Sequence, residues 1–331
     1  MDKAPKTLQQ AVIFFSNHEN CHAFMVKLRW PDGRVLCPRC GSADVDYLPN
    51  AKVFKCYAKH AKGLPQKFSL KVGTIMEDSP IPLEKWLPVM WMIVNCKNGI
   101  SSYEIHRAIG VTQKSAWFML QRARLAMQDD ATGGKLNGEV EIDETYIGGK
   151  ARNMHKRKKA EKLAGAGGGS AGKVGVQGML ERGGKVRAKV IDNAQQPTLQ
   201  GNVYQHVKKG AHIFTDDWRA YFGLSADYTH DVINHAEAYV NGNIHTNGIE
   251  NFWALLKRGL SGTYVSVEPF HLFRYVDEQA FRYVDEQAFR YNHRKDMNDG
   301  DRFVTVMNQI VGRRLTYKEL TGNEGETSEP F

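Results

Sequence analysis

Apolar positions along this chain fall into four successive patterns. Residues 1–30 read as an N-terminal helical segment with Phe14, Phe15, Phe24 and Met25 as candidate core. Residues 31–78 hold short strand-like runs among cysteines, and 79–130 return to helical spacing. LEKWLPVMWMIVNC is an apolar helix; Pro88 inside it should kink or restart it, and Cys96 at its end reads as core. Ser101-Ser-Tyr-Glu104 fits a capping box that opens a short helix, SYEIHRAI. Gly110-Val-Thr112 then makes a turn into QKSAWFMLQRARLAM, where Ala116, Met119, Leu120, Ala123 and Met127 recur at core spacing.

Residues 138–315 mix strands and helices. GEVEIDETYIGG reads as a strand with Val140 and Ile142 on one face and Glu141, Asp143 and Thr145 on the other. Further strands are expected at 174–180 and 186–191, and a helical stretch near 199–207. A short apolar strand, AHIFTD, then delivers Asp216 at its C-terminal end. In HTNGIENFWALLKR, at about 100° per residue, Ile249, Phe252, Leu255 and Leu256 share one side, opposite Glu250, Ala254 and Lys257. Glu250 and Lys257 lie about 10.5 Å apart along such a helix, too far to pair but able to serve two ends of one ligand.

Composition narrows the class. The chain has 331 residues, 42% hydrophobic and 24% charged, the balance of a globular protein with more than one core rather than of a disordered or fibrous chain. Its longest apolar runs, 11–15 and 89–94, fall well short of the roughly 18 residues that span a bilayer. No apolar signal segment follows the first methionine, so a cytoplasmic, nucleoid-associated protein is expected. The formal net charge is +9, and 150–173 alone hold eight Lys or Arg against one acid. That stretch reads as a flexible basic loop suited to a polyanion, while the acidic tail 321–331 reads as disordered.

Two constellations carry chemistry. Cys37-Pro-Arg-Cys40-Gly is a knuckle whose turn points both sulfurs at one centre; Cys56 and His60 follow with the spacing that completes tetrahedral zinc. Cys21 or His22 could replace His60 as the fourth ligand. A closed N/S site of this type is structural. The second constellation is Asp143 and Asp216 on strands with Glu250 on a helix: such carboxylates can hold two hard divalent cations that polarise the attacking and leaving oxygens of a phosphodiester. Glu144, on the other face of its strand, Glu141, deeper in the strand, and Asp217 rank below them, and His245 and Asn247 lie near. Lys257 and Arg258 would grip phosphate; Gln113 and Lys114, at the exposed start of the second helix of the pair, would meet base edges, and Arg122 and Arg124 would reach phosphates.

DETYIGG, TDDWRAY, HTNGIENFWALLKRG and FRYNHRK together resemble bacterial insertion-sequence transposases of the DDE type, specifically the group with an N-terminal zinc ribbon. CPRCGS, FSLKVGTIMEDSPIPLEKW and NGISSYEIHRAIGVTQKSAWFMLQR resemble the same group, so the likeness spans residues 20–295. It implies a multidomain α/β chain: zinc ribbon at 31–78, helix-turn-helix at 79–130, and an RNase H-like mixed sheet flanked by helices at 138–315. It also implies Asp143, Asp216 and Glu250 as the catalytic acids, holding two Mg²⁺ or Mn²⁺ ions, metal-dependent cleavage at element ends, and transfer of the 3′-OH into target DNA. Terminal inverted repeats, target DNA and other copies of the chain are the implied partners, with no membrane. An inactive DNA-binding derivative and a nuclease without strand transfer are the alternatives. One departure is peculiar: FRYVDEQA at 273–280 recurs at 281–288. Eight residues leave about 80° of offset and about 12 Å of length, so Phe273, Phe281 and Phe289 cannot share one core stripe. One copy should bulge, or extend its helix away from the packing.

Overall fold

Aromatic side chains far apart in sequence build the first core. Phe303 packs against Phe15, Phe24 and Trp91 with ring centroids 5.5, 5.6 and 5.2 Å away. The computed structural model describes residues 5–128, 134–148, 173–216, 219–233, 245–264, 272–295 and 297–321, with backbone alone for 272–281 and 321. The basic stretch 150–172, Asp217 and the tail 322–331 lie outside the described residues. The rest divides into two units, 5–127 with 297–321, and 128–295. The stretch 297–315, which the sequence pattern assigns to the end of the mixed domain, instead packs with the first unit, because Phe303, Val306 and Met307 are buried in it.

The first unit opens with helices α1 (Leu8–Phe15) and α2 (His18–Arg29), capped by Thr7 and Asn17. Phe15, Phe24 and Met25 are buried; Phe14 is half-buried. Strands β1 (Val45–Leu48), β2 (Val53–Cys56) and β3 (Lys67–Phe68) form an antiparallel sheet in that order. Helix α3 (Leu83–Asn95) runs unbroken through Pro88, so the expected restart does not occur; Pro88 is buried among apolar neighbours on the same helix. Cys96 is the C-cap of that helix and half-buried, not core.

Helix α4 (Ser102–Ile109) starts at the expected capping box, with Ser101 and Glu104 bonding reciprocally. It ends at Gly110, whose φ of 61° closes the turn. Helix α5 (Gln113–Met127) comes next, with Thr112 Oγ1 accepting from Ser115 N, and all five expected core positions are buried. Helices α9 (Asp299–Asn308) and α10 (Tyr317–Thr321), numbered in chain order after those of the second unit, complete this unit.

The second unit is a five-stranded mixed sheet: β4 (Glu139–Ile147), β5 (Val174–Glu181), β6 (Val186–Ile191), β7 (His212–Asp216) and β8 (Thr229–Ile233). Their spatial order is β6-β5-β4-β7-β8. β4, β5 and β6 pair antiparallel; β4, β7 and β8 pair parallel. Alternation along β4 decides what each face meets. Val140 and Ile142 join a core with Leu199 and Val203 of helix α6 (Gln196–His206). The opposite face packs helix α7 (Asn247–Gly262), through Ile249, Phe252, Trp253 and Leu256, and helix α8 (Leu272–Asn292). The fold is thus the mixed α/β architecture the sequence implied, with a helix-flanked sheet and a separate zinc-ribbon-like cluster. No described helix is long and apolar enough to cross a membrane.

Both copies of FRYVDEQA lie on one continuous helix, α8, so neither bulges. Among the described side chains, Val284, Ala288 and Tyr291, at i, i+4 and i+7, enter the core beneath the sheet. Glu286 is fully buried, where Tyr264 Oη donates to it at 2.6 Å and the Arg290 guanidinium pairs with it. Asn292 then locks the helix to strand β6, accepting from Val186 N at 2.7 Å and donating to Val186 O at 3.0 Å. Phe289 is buried; the side chains of Phe273 and Phe281 lie outside the described residues.

Candidate functional site

The zinc centre is assembled by short-range turns. Gly41, at φ 72°, donates its N–H to Cys37 O and closes the knuckle so that Cys37 and Cys40 face one point. Strand β2 ends on Cys56, and the chain beyond it returns with His60. One ligand atom from each of the four lies within 4.8 Å of the others. Cys37 Sγ is 3.5 Å from His60 Nε2, and Cys40 Sγ is 3.6 Å from Cys56 Sγ. His60 Nδ1 donates to Pro65 O at 3.0 Å, which leaves Nε2 unprotonated and free to ligate. Burial pushes the Cys37 thiol up, but backbone N–H groups of Arg39 and Cys40 and the neighbouring thiols outweigh it and bring it down to about 7. Three soft sulfurs and an imidazole fit structural Zn²⁺, and His60, not Cys21 or His22, is the fourth member of the set. Cys21 is buried with its Sγ on Phe15 O, and the His22 ring lies 4.4 Å from that of Tyr47.

The carboxylates come together by tertiary pairing. The parallel register sets Glu139 against His212 and Glu141 against Phe214; two residues further on, Asp143 comes level with Asp216 at the end of β7. Asp143 faces α7, where Trp253 Nε1 donates to its Oδ2 at 2.9 Å, and Glu144 N donates to its Oδ1 at 2.8 Å. Gly178, opposite Asp143 on β5, permits this approach: a Cβ there would lie 2.6 Å from the Trp253 ring. Glu250 stands on the first turn of α7 with its carboxylate in solvent, taking a bond from Thr246 Oγ1 at 3.3 Å. Burial raises the Asp143 carboxyl to about 6, the charges of Asp216 and Glu250 add to the rise, and the Trp253 and Glu144 hydrogen bonds oppose it. Asp143 therefore lies within electrostatic reach of both Asp216 and Glu250. Oxygen-only donors in that arrangement fit hard divalent cations, which would relieve the repulsion. Among the described residues the zinc set alone brings three or more such ligand atoms within 4.8 Å, so the carboxylates are in electrostatic rather than contact range.

Glu144 points to the other face of β4, as strand alternation predicts: the Tyr221 hydroxyl donates to it on the α6 side. Burial nevertheless raises Glu144 to about 9, with the charges of Asp143 and Asp216 adding to the shift, so it is held neutral at pH 7 beside those acids. Sequence alternation does not reveal this, since neighbours on one strand differ in face but not in distance. Trp253 is likewise invisible as an Asp143 partner, although its place in the apolar stripe of α7 is readable.

Lys257 and Arg258 are exposed on α7, and Glu250, Ala254 and Lys257 share its solvent face as expected. Asn247 is the first residue of α7 rather than its cap. On α5, Lys114 is exposed with its ammonium 4.8 Å from the Tyr317 ring centroid, and Gln113 Nε2 donates to Ser102 Oγ at 2.8 Å. Arg122 is a correction. It is 5% exposed, with Nε donating to Leu315 O and Nη1 to Glu77 O, so its guanidinium holds the first unit together and is not presented to phosphate. Arg124 is also buried. Helix α5 is covered on several sides here, which a one-sided amphipathic reading does not allow.

A zinc-ribbon-like centre together with a separate helix-flanked mixed sheet is also what comparison with known proteins finds in this chain. Residues 135–292 match the ISXO2-like transposase domain and 16–59 match the transposase zinc-ribbon domain. The chain thus pairs a transposase zinc-ribbon domain with an ISXO2-like transposase domain. It is also 27% identical over 255 residues, 75% of this chain and 84% of the relative, to an uncharacterized protein in transposable element ISH50 of Halobacterium salinarum. The transposase domain makes DNA its partner.

Proposed function

We propose that the protein cuts DNA at the ends of its own element and joins the released 3′-OH to target DNA, using Asp143, Asp216 and Glu250 to hold two divalent cations, Mg²⁺ or Mn²⁺. The electrostatic coupling of Asp143 to both Asp216 and Glu250 carries this reading. When bound, the cations would supply Lewis acidity to the attacking and leaving oxygens. Asp143, held by Trp253 Nε1 and Glu144 N, keeps its carboxylate fixed on the sheet and contributes no mobile group. Glu250, exposed on the rim, completes the set from the helix side. Lys257, two turns along the same face, meets a phosphate of the strand being cut, with Arg258 beside it. In the first step a water oxygen attacks phosphorus and the bond to the 3′ oxygen breaks, leaving 3′-OH and 5′-phosphate. In the second step that 3′-OH attacks a target phosphodiester and displaces a new 3′-OH. Lys114 and Gln113, at the N-terminal end of α5, are the side chains placed to meet DNA from the helical pair.

The test uses purified full-length protein, Mg²⁺ or Mn²⁺, and labelled DNA carrying the element's ends. Wild type should nick and join; Asp143→Asn should do neither. Equal nicking by the two proteins ends this reading. Nicking without joined products would leave a nuclease instead.

A further inference from the structure

Glu141 is a buried carboxylate that the proposed chemistry does not use. It sits two residues before Asp143 on the same face of β4 and is 1% exposed. Its Oε2 accepts from Ile249 N at 2.9 Å, and its Oε1 from Arg182 Nε at 2.9 Å, with His245 Nδ1 at 3.4 Å. Ile249 is the third residue of α7, and Thr246, the N-cap, makes no side-chain capping bond. The helix N-terminus is thus capped by a carboxylate from a strand instead of by its own flanking residue. Gly248 makes the approach feasible: a Cβ there would lie 2.7 Å from Glu141 Oε2 and 2.5 Å from Leu180 Cδ2.

Arg182 extends the knot. Its Nη2 donates to His245 O at 2.7 Å, its Nη1 to Glu139 Oε2 at 3.3 Å, and its guanidinium lies 4.0 Å from the Phe214 ring centroid. The pair therefore touches every element that bears a proposed metal ligand. Glu141 precedes Asp143 by two residues on β4, Phe214 precedes Asp216 by two on β7, and Ile249 immediately precedes Glu250 on α7.

We propose that Glu141 and Arg182 are positioning residues that set the N-terminus of α7 against β4 and β7 so that Glu250 faces Asp143 and Asp216. This rests on the reading of those three acids as a divalent-cation site. A buried ion pair with a purely structural role would affect folding and nothing else, so the test reads cation affinity.

Mn²⁺ binding to the full-length, zinc-loaded protein is followed by electron paramagnetic resonance of the free ion. Four variants are compared with wild type for affinity and melting temperature: Glu141→Gln, Arg182→Lys, Asp143→Asn and Val203→Ala. Glu141→Gln has one acceptor oxygen for two donors. Arg182→Lys keeps the charge but loses the planar fork. Val203→Ala opens the core on the α6 face, away from the knot. Groups that orient metal ligands typically contribute about 10–100-fold in affinity. Glu141→Gln and Arg182→Lys should each weaken Mn²⁺ binding by about that factor, while Val203→Ala binds as wild type despite an equal or larger fall in melting temperature. Wild-type affinity in both knot variants, or a loss in Val203→Ala that scales with melting temperature in the same way, overturns the proposal. No Mn²⁺ binding by wild type, or binding unchanged in Asp143→Asn, removes the cation site itself and the proposal with it.

Discussion

The zinc set and the carboxylate set gather charge-bearing ligands by opposite routes. Cys37, Cys40, Cys56 and His60 span 24 residues, are shaped by one knuckle and one strand end, and stand within 4.8 Å of each other. Asp143, Asp216 and Glu250 are spread over more than a hundred residues, come from two strands and a helix, and stand in electrostatic range. Local turns preset the first site; sheet pairing and a helix clamp set the second. A centre that closes all its positions holds the fold, and one that leaves a carboxylate, that of Glu250, open to solvent is suited to exchange water and substrate.

The largest effect that would break this comparison is expected at the zinc centre. Cys56→Ser, or chelation, should remove bound zinc and unfold the ribbon, because binding free energy is folding free energy in such modules. Metal analysis together with circular dichroism checks it; full zinc retention would mean that the four ligands are not a unit. The second unit should keep its melting transition. The opposite pattern is expected for Asp143→Asn: cleavage is lost, zinc content is unchanged, and the metal-free protein gains about 1–2 kcal/mol at pH 8. The gain arises because a carboxyl raised from 3.8 to about 6 is destabilised when ionised. Denaturant titration with and without Mn²⁺ measures it, and a stability loss in both conditions would count against the repulsion argument.

A smaller effect tests the duplication. Residues 273–283 and 281–291 are the same eleven-residue sequence, FRYVDEQAFRY, so the two copies differ in the residue that succeeds each. Asn292 bonds both the N–H and the C=O of Val186, whereas the corresponding residue after the first copy is Val284. Asn292→Val should cost about 1–3 kcal/mol and increase hydrogen exchange along β6. Unchanged stability would mean that the register is fixed elsewhere.

The smallest effect is a pH dependence within the sheet unit. Burial, then the charges of Arg187, Lys189 and Lys135, lower His206 to about 4 from 6.5. The unfolded chain therefore binds this proton first, and stability is lost as pH falls from about 6.5 towards 4. His206→Gln should flatten that slope in thermal melts taken across the window; an unaltered slope would assign it to other groups.

Legibility followed the length scale of each feature. The capping box at Ser101, the five core positions of α5, the strand 186–191 and the apolar face of α7 were readable because each depends on neighbours within a turn or two. Arg122 misled because one helix pattern cannot tell which other helices and chain ends cover it; Leu315 and Glu77, whose carbonyls it bonds, are remote in sequence. Pro88 misled because a helix packed on both sides of a proline can run through it. Among the site residues, Asp143 could be placed on a strand face and Asp216 at a strand end, but their juxtaposition needed the β4–β7 register, and Glu144 needed three-dimensional distance.

By itself, then, the amino-acid order determined the three zinc-ligating cysteines, the capping box at Ser101 and the side of each element on which its acids stand, since backbone periodicity and short turns fix those without help, while His60 was chosen over Cys21 and His22 by the fold. Tertiary structure alone decided that β4 and β7 run side by side, that Glu141 and Arg182 tie three elements together, and that 297–321 return to the first unit. Those outcomes depend on contacts between residues far apart in the chain, and a one-dimensional pattern holds no distance between such residues.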